Sequence, residues 1–324
     1  MKKYYNLVIH NYQNLFFLFG LIFFIQNTYS QEVPFSLRYQ NSFKGDIVYL
    51  SNNSLSRHVT NNFNDVTPPI NVNQPGGSND FSIQVHVDID TDASTFNSSS
   101  SILNLTGSCS NIAFAGLYWS GTYPYEAGAV NAQNQPEVGC LDCNRYTNLI
   151  DDVRLKLPGA ANYTDVAGTV IYDEFGTAPN SGQIAYACFA DVTNLLNTNP
   201  SGYNGAYTVA NVRAARNNIR DNNLYYGTSA GWTLVIVYED NSKTTKNFSI
   251  FDGFGFVNGY AGSFGLSGVF SLDFTYNGFT TVPSGDVKGT YGISALEGDR
   301  TIQGSHLSIR NTSNVFEDLT DAAN

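Results

Sequence analysis

Methionine and tryptophan are scarce in this 324-residue chain, at one and two residues, against 29 Gly and 43 Tyr plus Phe. Such a balance suits strands and turns rather than helices. Basic residues are few as well: 16 Lys+Arg against 27 Asp+Glu, for a net charge of −11. Charge of that sign repels phosphate, which argues against nucleic acid or anionic lipid as partners. Histidine is thin; beyond residue 30 only His58, His86 and His306 occur. No G-x-S-x-G elbow and no H-E-x-x-H zinc motif is present. Beyond residue 25 there is no further long apolar run, so no membrane insertion of a processed chain is expected. No cofactor motif is found.

What the chain does have starts at its N-terminus. Lys2 and Lys3 precede an apolar run from Leu15 to Ile25, and small residues Thr28 and Ser30 stand three and one before Gln31. This is the layout of a secretory signal peptide over residues 1–30. As a helix the run would rise only ~16 Å, too short for a bilayer core of ~30 Å. Cleavage removes two lysines and no acid, so the charge becomes −13. A secreted or cell-surface product follows.

The chain is 42% hydrophobic over its full length, enough to bury a core, so most of it is not disordered. Short apolar runs alternate with Gly, Asn, Ser and Pro. Strands are expected at 45–50, 81–91, 111–119, 152–157, 168–172, 183–191, 206–213, 232–239, 247–257, 268–276 and 301–309. In 81–91, Ile83, Val85, Val87 and Ile89 alternate with Gln84, His86, Asp88 and Asp90, which predicts one dry and one wet face. Runs such as 111–119 and 232–239 are apolar on both faces and belong in the centre of a sheet, covered twice. One short helical turn over VTNLLN is expected, begun by Asp191 or Thr193. Without βα alternation or a fixed repeat, the fold class is all-β: an antiparallel, jelly-roll-like sandwich of about a dozen strands with little helix. A single domain spans 31–324, with a long Asn-, Pro- and Gly-rich loop at 51–80.

Four cysteines behind a signal peptide suggest disulfides, with three connectivities open. The pairs favoured are a local Cys140–Cys143 clasp and a long-range Cys109–Cys188 bridge; a four-cysteine zinc site fits less well, because Cys109 and Cys188 are singletons. Asp88, Asp90 and Asp92 form a D-x-D-x-D run that suggests calcium, a hard cation that takes several carboxylate oxygens. In an extended strand their side chains stand ~6.6 Å apart, so chelation needs a bend near Asp90–Asp92; the alternative is a solvated face with loop-capping aspartates. Tyr123 and Tyr125, beyond a strand end, are candidate exposed aromatics for stacking on a ligand. Asp173, Glu174, Glu239 and Asp240 are eligible by type as glycosidase carboxyls, which must stand ~5–9.5 Å apart.

AGLYWSG (115–121), AGWTLVIVYED (230–240), FSIFDGF (248–254) and LEGDR (296–300) occur in that order. The set resembles an uncharacterised N-terminal β domain of large bacterial secreted, adhesin-like surface proteins. The resemblance covers the chain from about Gly45 onward. It implies an extracellular module ahead of adhesin-like repeats, in some members with a sorting signal for the type nine secretion system. Relatives continue where this sequence stops at DAAN, so a longer product is expected. No catalytic or ligand residues come with the resemblance. The function expected is therefore a non-catalytic surface or adhesin-like module whose extracellular ligand is a glycan or protein. A carbohydrate-binding module, and behind it a secreted glycoside hydrolase, are the alternatives.

Overall fold

The computed structural model describes residues 33–57, 84–90, 92–107, 109–123, 149–175, 184–215, 219–221 and 224–255, together with 274, 278, 284, 289–295, 307–310, 313 and 315–318. The expected signal peptide, Cys140, Cys143, Tyr125, residues 58–80 and most of the expected strands at 268–276 and 301–309 lie outside the described residues.

The chain is all-β. The strands are β1 (Val33–Asn53), β2 (Leu55–Arg57), β3 (Gln84–His86), β4 (Ser98–Leu103), β5 (Cys109–Thr122), β6 (Asp152–Lys156), β7 (Thr164–Ala167), β8 (Thr169–Asp173), β9 (Ala185–Asp191), β10 (Gly205–Ala210), β11 (Ile219–Asp221), β12 (Leu224–Tyr226), β13 (Ala230–Asp240), β14 (Thr245–Phe254), β15 (Ser308–Arg310) and β16 (Phe316–Asp318). Helix α1 (Thr193–Asn197) is the expected short turn; Asp191 Oδ1 accepts the Thr193 N–H at 2.9 Å. Two sheets carry the architecture: a six-stranded one in the order β14-β1-β13-β5-β9-β8 and a four-stranded one in the order β4-β10-β6-β7, every pair antiparallel.

Strand β13 sits centrally, between β1 and β5. Leu234 and Ile236 are buried on one face, Val235 and Val237 on the other, as an uninterrupted apolar run requires. The first face meets the four-stranded sheet. Leu117, Trp119, Tyr186, Leu234 and Ile236 there pack with Leu103, Leu155, Tyr207 and Val209. The second face is covered by the sheet's own curl. Phe114, Phe189, Val235 and Val237 pack with Phe248 and Ile250 of β14 and with Tyr39, Phe43 and Ile47 of β1. The curl brings the two outer strands together, with Tyr172 of β8 stacked on Phe254 of β14 at 4.2 Å between centroids.

Two devices make this possible. Strand β1 changes partner midway: residues 33–44 pair with β14 and residues 45–53 with β13. Gly45 marks the change, and a Cβ there would stand 2.1 Å from the Tyr238 carbonyl oxygen. At the other side the chain passes from β7 in the small sheet to β8 in the large one through Gly168 alone.

Some expectations are corrected. Strand pairing runs to Asn53 and resumes at Leu55–Arg57, so residues 51–57 are not loop. The segment expected as one strand over 81–91 pairs with β2 only at 84–86, and Gln84, expected on the wet face, is buried. The Val87 N–H still bonds to the Ser54 carbonyl, but Asp88 bridges to Ser98 instead, so no single partner strand sets a period-two pattern over the segment.

The Gly168 corner is testable. A methyl group added there would meet the Trp119 ring at 2.3 Å and the Phe189 carbonyl oxygen at 2.7 Å. Trp119 is buried and its Nε1 is bonded to the Ile150 carbonyl, so it cannot move aside freely. Gly168→Ala is expected to lower unfolding free energy by ~1–3 kcal/mol in urea titration.

Candidate functional site

The aspartate run lies over the outer face of the four-stranded sheet. That face presents Ser98, Ala210, Arg154 and Asp165 in one cross-strand row. Residues 88–90 and 92–97 fold onto it and each carboxylate is engaged at a different point. Asp88 Oδ1 accepts from Ser98 Oγ at 2.8 Å. Asp90 Oδ2 accepts from the Tyr163 hydroxyl at 2.5 Å, and its Oδ1 accepts from the Asp92 N–H at 3.3 Å. Asp92 Oδ1 accepts from the Ser94 N–H and hydroxyl at 2.9 and 2.7 Å. The Ser94 hydroxyl and N–H hold the Asp92 carboxyl below the ordinary carboxylate range. Burial, then the Asp90 bond, pushes the Tyr163 phenol up, so it stays a donor.

Arg154 ties the loop to the sheet: its Nη1 donates to Ser94 O and Oγ, and its Nε to Asp165 at 2.8 Å. Beside it lies a shallow depression of about 280 Å³, lined by Asp152, Arg154, Asp165 and Asn211 among others. Asn211 has a left-handed backbone, φ 65°, which asparagine tolerates. Its Oδ1 accepts from the Phe96 N–H at 3.0 Å and so anchors the far end of the loop. Among the described residues no group of three His, Cys, Asp or Glu side chains is gathered closely enough to hold a metal ion.

The other acids are dispersed. Glu239 pairs across to Asn111 of β5, while Asp173 lies level with Tyr186 of β9, itself opposite Gly121 of β5. Ten residues of β5 separate those levels, ~33 Å in an extended strand, against the ~5–9.5 Å a glycosidase pair needs. Within the pairs, Glu174 is buried with Oε2 on the Ala185 N–H. Asp240 Oδ1 accepts from the Ser242 hydroxyl and N–H at 2.6 and 2.8 Å, which hold its carboxyl below the usual range.

Two candidates are corrected outright. Tyr123 is fully buried at the end of β5, edge-on to Tyr186, and presents no ring for stacking. Cys109 and Cys188 are free thiols. Cys188 lies opposite Trp119, ten residues along β5 from Cys109, so the ~33 Å between those levels far exceeds the ~7 Å limit for bridged Cα atoms. Burial pushes the Cys188 thiol up, and its Sγ–H points to the Ile150 carbonyl at 3.5 Å.

Sequence reading missed Arg38 and Asp252. Asp252 falls on the apolar face of β14, two and four residues beyond Ile250 and Phe248, and is 8% exposed. An acid in such a position needs a partner, which was the available signal. Arg38 carried none: it has no paired residue in the β1–β14 register, where a bulge between Leu37 and Tyr39 redirects it.

No family model, no curated protein and no solved structure matches the chain.

Tyr163→Phe is expected to cost ~1 kcal/mol, less than the ~1.5–3 kcal/mol of a buried hydrogen bond to a charged group because the site is partly solvated. Melting midpoints in calcium and in chelator should coincide, since the loop is already closed by protein donors; a midpoint raised by calcium would show the aspartates gathering round an ion. Alkylation of the unfolded chain without reductant should modify both Cys109 and Cys188, whereas in the native protein Cys188 should remain unmodified.

Proposed function

We propose that this chain is a non-catalytic extracellular module of a bacterial surface or adhesin-like protein, exported on the leader of residues 1–30 and presenting an adhesive face or further domains outside the cell. The acid distribution is its main support. Carboxylates eligible for chemistry stand at opposite ends of the large sheet, and Asp90, Asp92, Glu174 and Asp240 are engaged in holding loops and turns. The leader pattern, the acidic balance and the resemblance of the AGLYWSG and AGWTLVIVYED segments point the same way. A sandwich whose central strands are covered on both faces is a rigid stalk or platform, suited to carrying variable loops.

Residues 31–324 coated on beads are expected to retain them on immobilised mucin or extracellular-matrix protein at least tenfold above albumin-coated beads. The same protein should turn over none of a broad panel of glycosides and esters. Turnover above the blank, lost on substituting one of the four acids, would replace this reading with a hydrolase.

A further inference from the structure

The first half of β1 is attached to the rest of the fold in an unusual way. Residues 33–44 pair along their length with β14 alone, more than 200 positions away in sequence, and reach β13 only from Gly45 onward. Their inward side chains lie on a ready-made apolar floor. Tyr39 stacks on Phe114 at 4.8 Å, Phe43 meets Phe248 at 4.9 Å, and Phe189, Val235 and Val237 complete the surface. One polar fastener sits within it. The bulged Arg38 donates from Nε and Nη2 to the two oxygens of Asp252 at 2.6 and 3.2 Å, and its guanidinium lies 4.4 Å above the Phe189 ring. The Tyr118 hydroxyl donates to the same carboxylate at 3.2 Å.

None of these contacts depends on the strand belonging to the same molecule. The floor, the β14 ladder and Asp252 are matched in register and charge to residues 33–44, and Gly45 is the single joint. We propose that residues 33–44 form a detachable strap fastened by Arg38, and that the groove beneath it accepts the equivalent strand of a second copy. Exchange of an identical element needs no new interface chemistry: the β14 ladder, the aromatic floor, the Gln40 Nε2 bond to the Gly278 carbonyl and the Arg38 fastener are released in one molecule and remade with another. Breaking the ion pair leaves Asp252 buried without its cation, so the closed strap is the state that loses most.

The experiment uses residues 31–324. In Arg38→Ala, amide hydrogens of residues 33–44 should exchange at least tenfold faster than in wild type, while those of β5 and β13 keep their protection. Isotopically labelled and unlabelled Arg38→Ala protein, mixed at high concentration, should give mixed dimers by native mass spectrometry. Ser42→Cys combined with Asn247→Cys, a cross-strand pair of the β1–β14 ladder, should abolish both effects once oxidised. Arg38→Lys should fall between Arg38→Ala and wild type. Unchanged exchange in Arg38→Ala would overturn the proposal, and so would protection lost equally from β5 and β13. A strap that opens without mixed dimers, or dimers that persist in the cross-linked protein, would overturn it as well.

Discussion

A strand that is apolar on both faces has to be covered twice, and in this protein nearly everything else answers to that demand. Strands β13 and β5 bring Leu234, Ile236 and Leu117 to one side and Val235, Val237 and Phe114 to the other. A second sheet can cover only one of those sides. The four-stranded sheet does so, and the large sheet covers its other face by bending until β14 reaches β8. The long β1, the partner change at Gly45 and the corner at Gly168 are the means of that bending. Glycine is required at both points because a neighbouring backbone or ring occupies the place of a side chain.

Closing a core in this way buries polar groups, and most of them find a local partner; among the described residues the Tyr39 and Ser54 hydroxyls and Asp240 Oδ2 are the buried exceptions. The Trp119 indole and the Cys188 thiol share the carbonyl of Ile150, and the Trp232 indole reaches Ser99 Oγ at 2.8 Å. Three asparagines act where a neighbouring strand is missing. Asn97, Asn197 and Asn204 each accept from the backbone N–H and donate to the carbonyl of a single residue, Val212, Ile112 and Leu105 respectively. A side-chain amide has the donor and acceptor of a peptide group, so it can stand in for a short piece of ladder. The chain's many asparagines are thus partly structural, and not simply loop composition.

The acids divide between the same tasks. Asp88, Asp90 and Asp92 fasten a loop to the outside of the small sheet, Asp240 closes the turn between β13 and β14, and Asp252 meets Arg38 inside the curl. A carboxylate accepts several hydrogen bonds and pulls its donors into one geometry, which suits a fold built from short strands and long connections.

Local pattern in the sequence was enough for the strand class, for the central place of 232–239 and for the presence of the helical turn after Asp191, because burial on two faces and turn chemistry are written within a few residues; the cap itself falls on Val192, with no side-chain cap bond, and not on Asp191 or Thr193. It was enough, too, to place loop-capping aspartates beside the calcium alternative. Other features were settled only by tertiary structure. The Cys109–Cys188 bridge looked reasonable on cysteine number, yet the register of β5 against β9 sets the two far apart along the sheet. Tyr123 looked exposed because it follows a strand, yet the packing of Tyr186 encloses it. Arg38 and Asp252 are separated by 214 positions, and only the pairing of β1 with β14 makes them neighbours. Hydrophobic period and turn chemistry act over a few residues and can be read in order. Register, curvature and closure depend on which distant strands pair, and no local stretch of the chain encodes that distance.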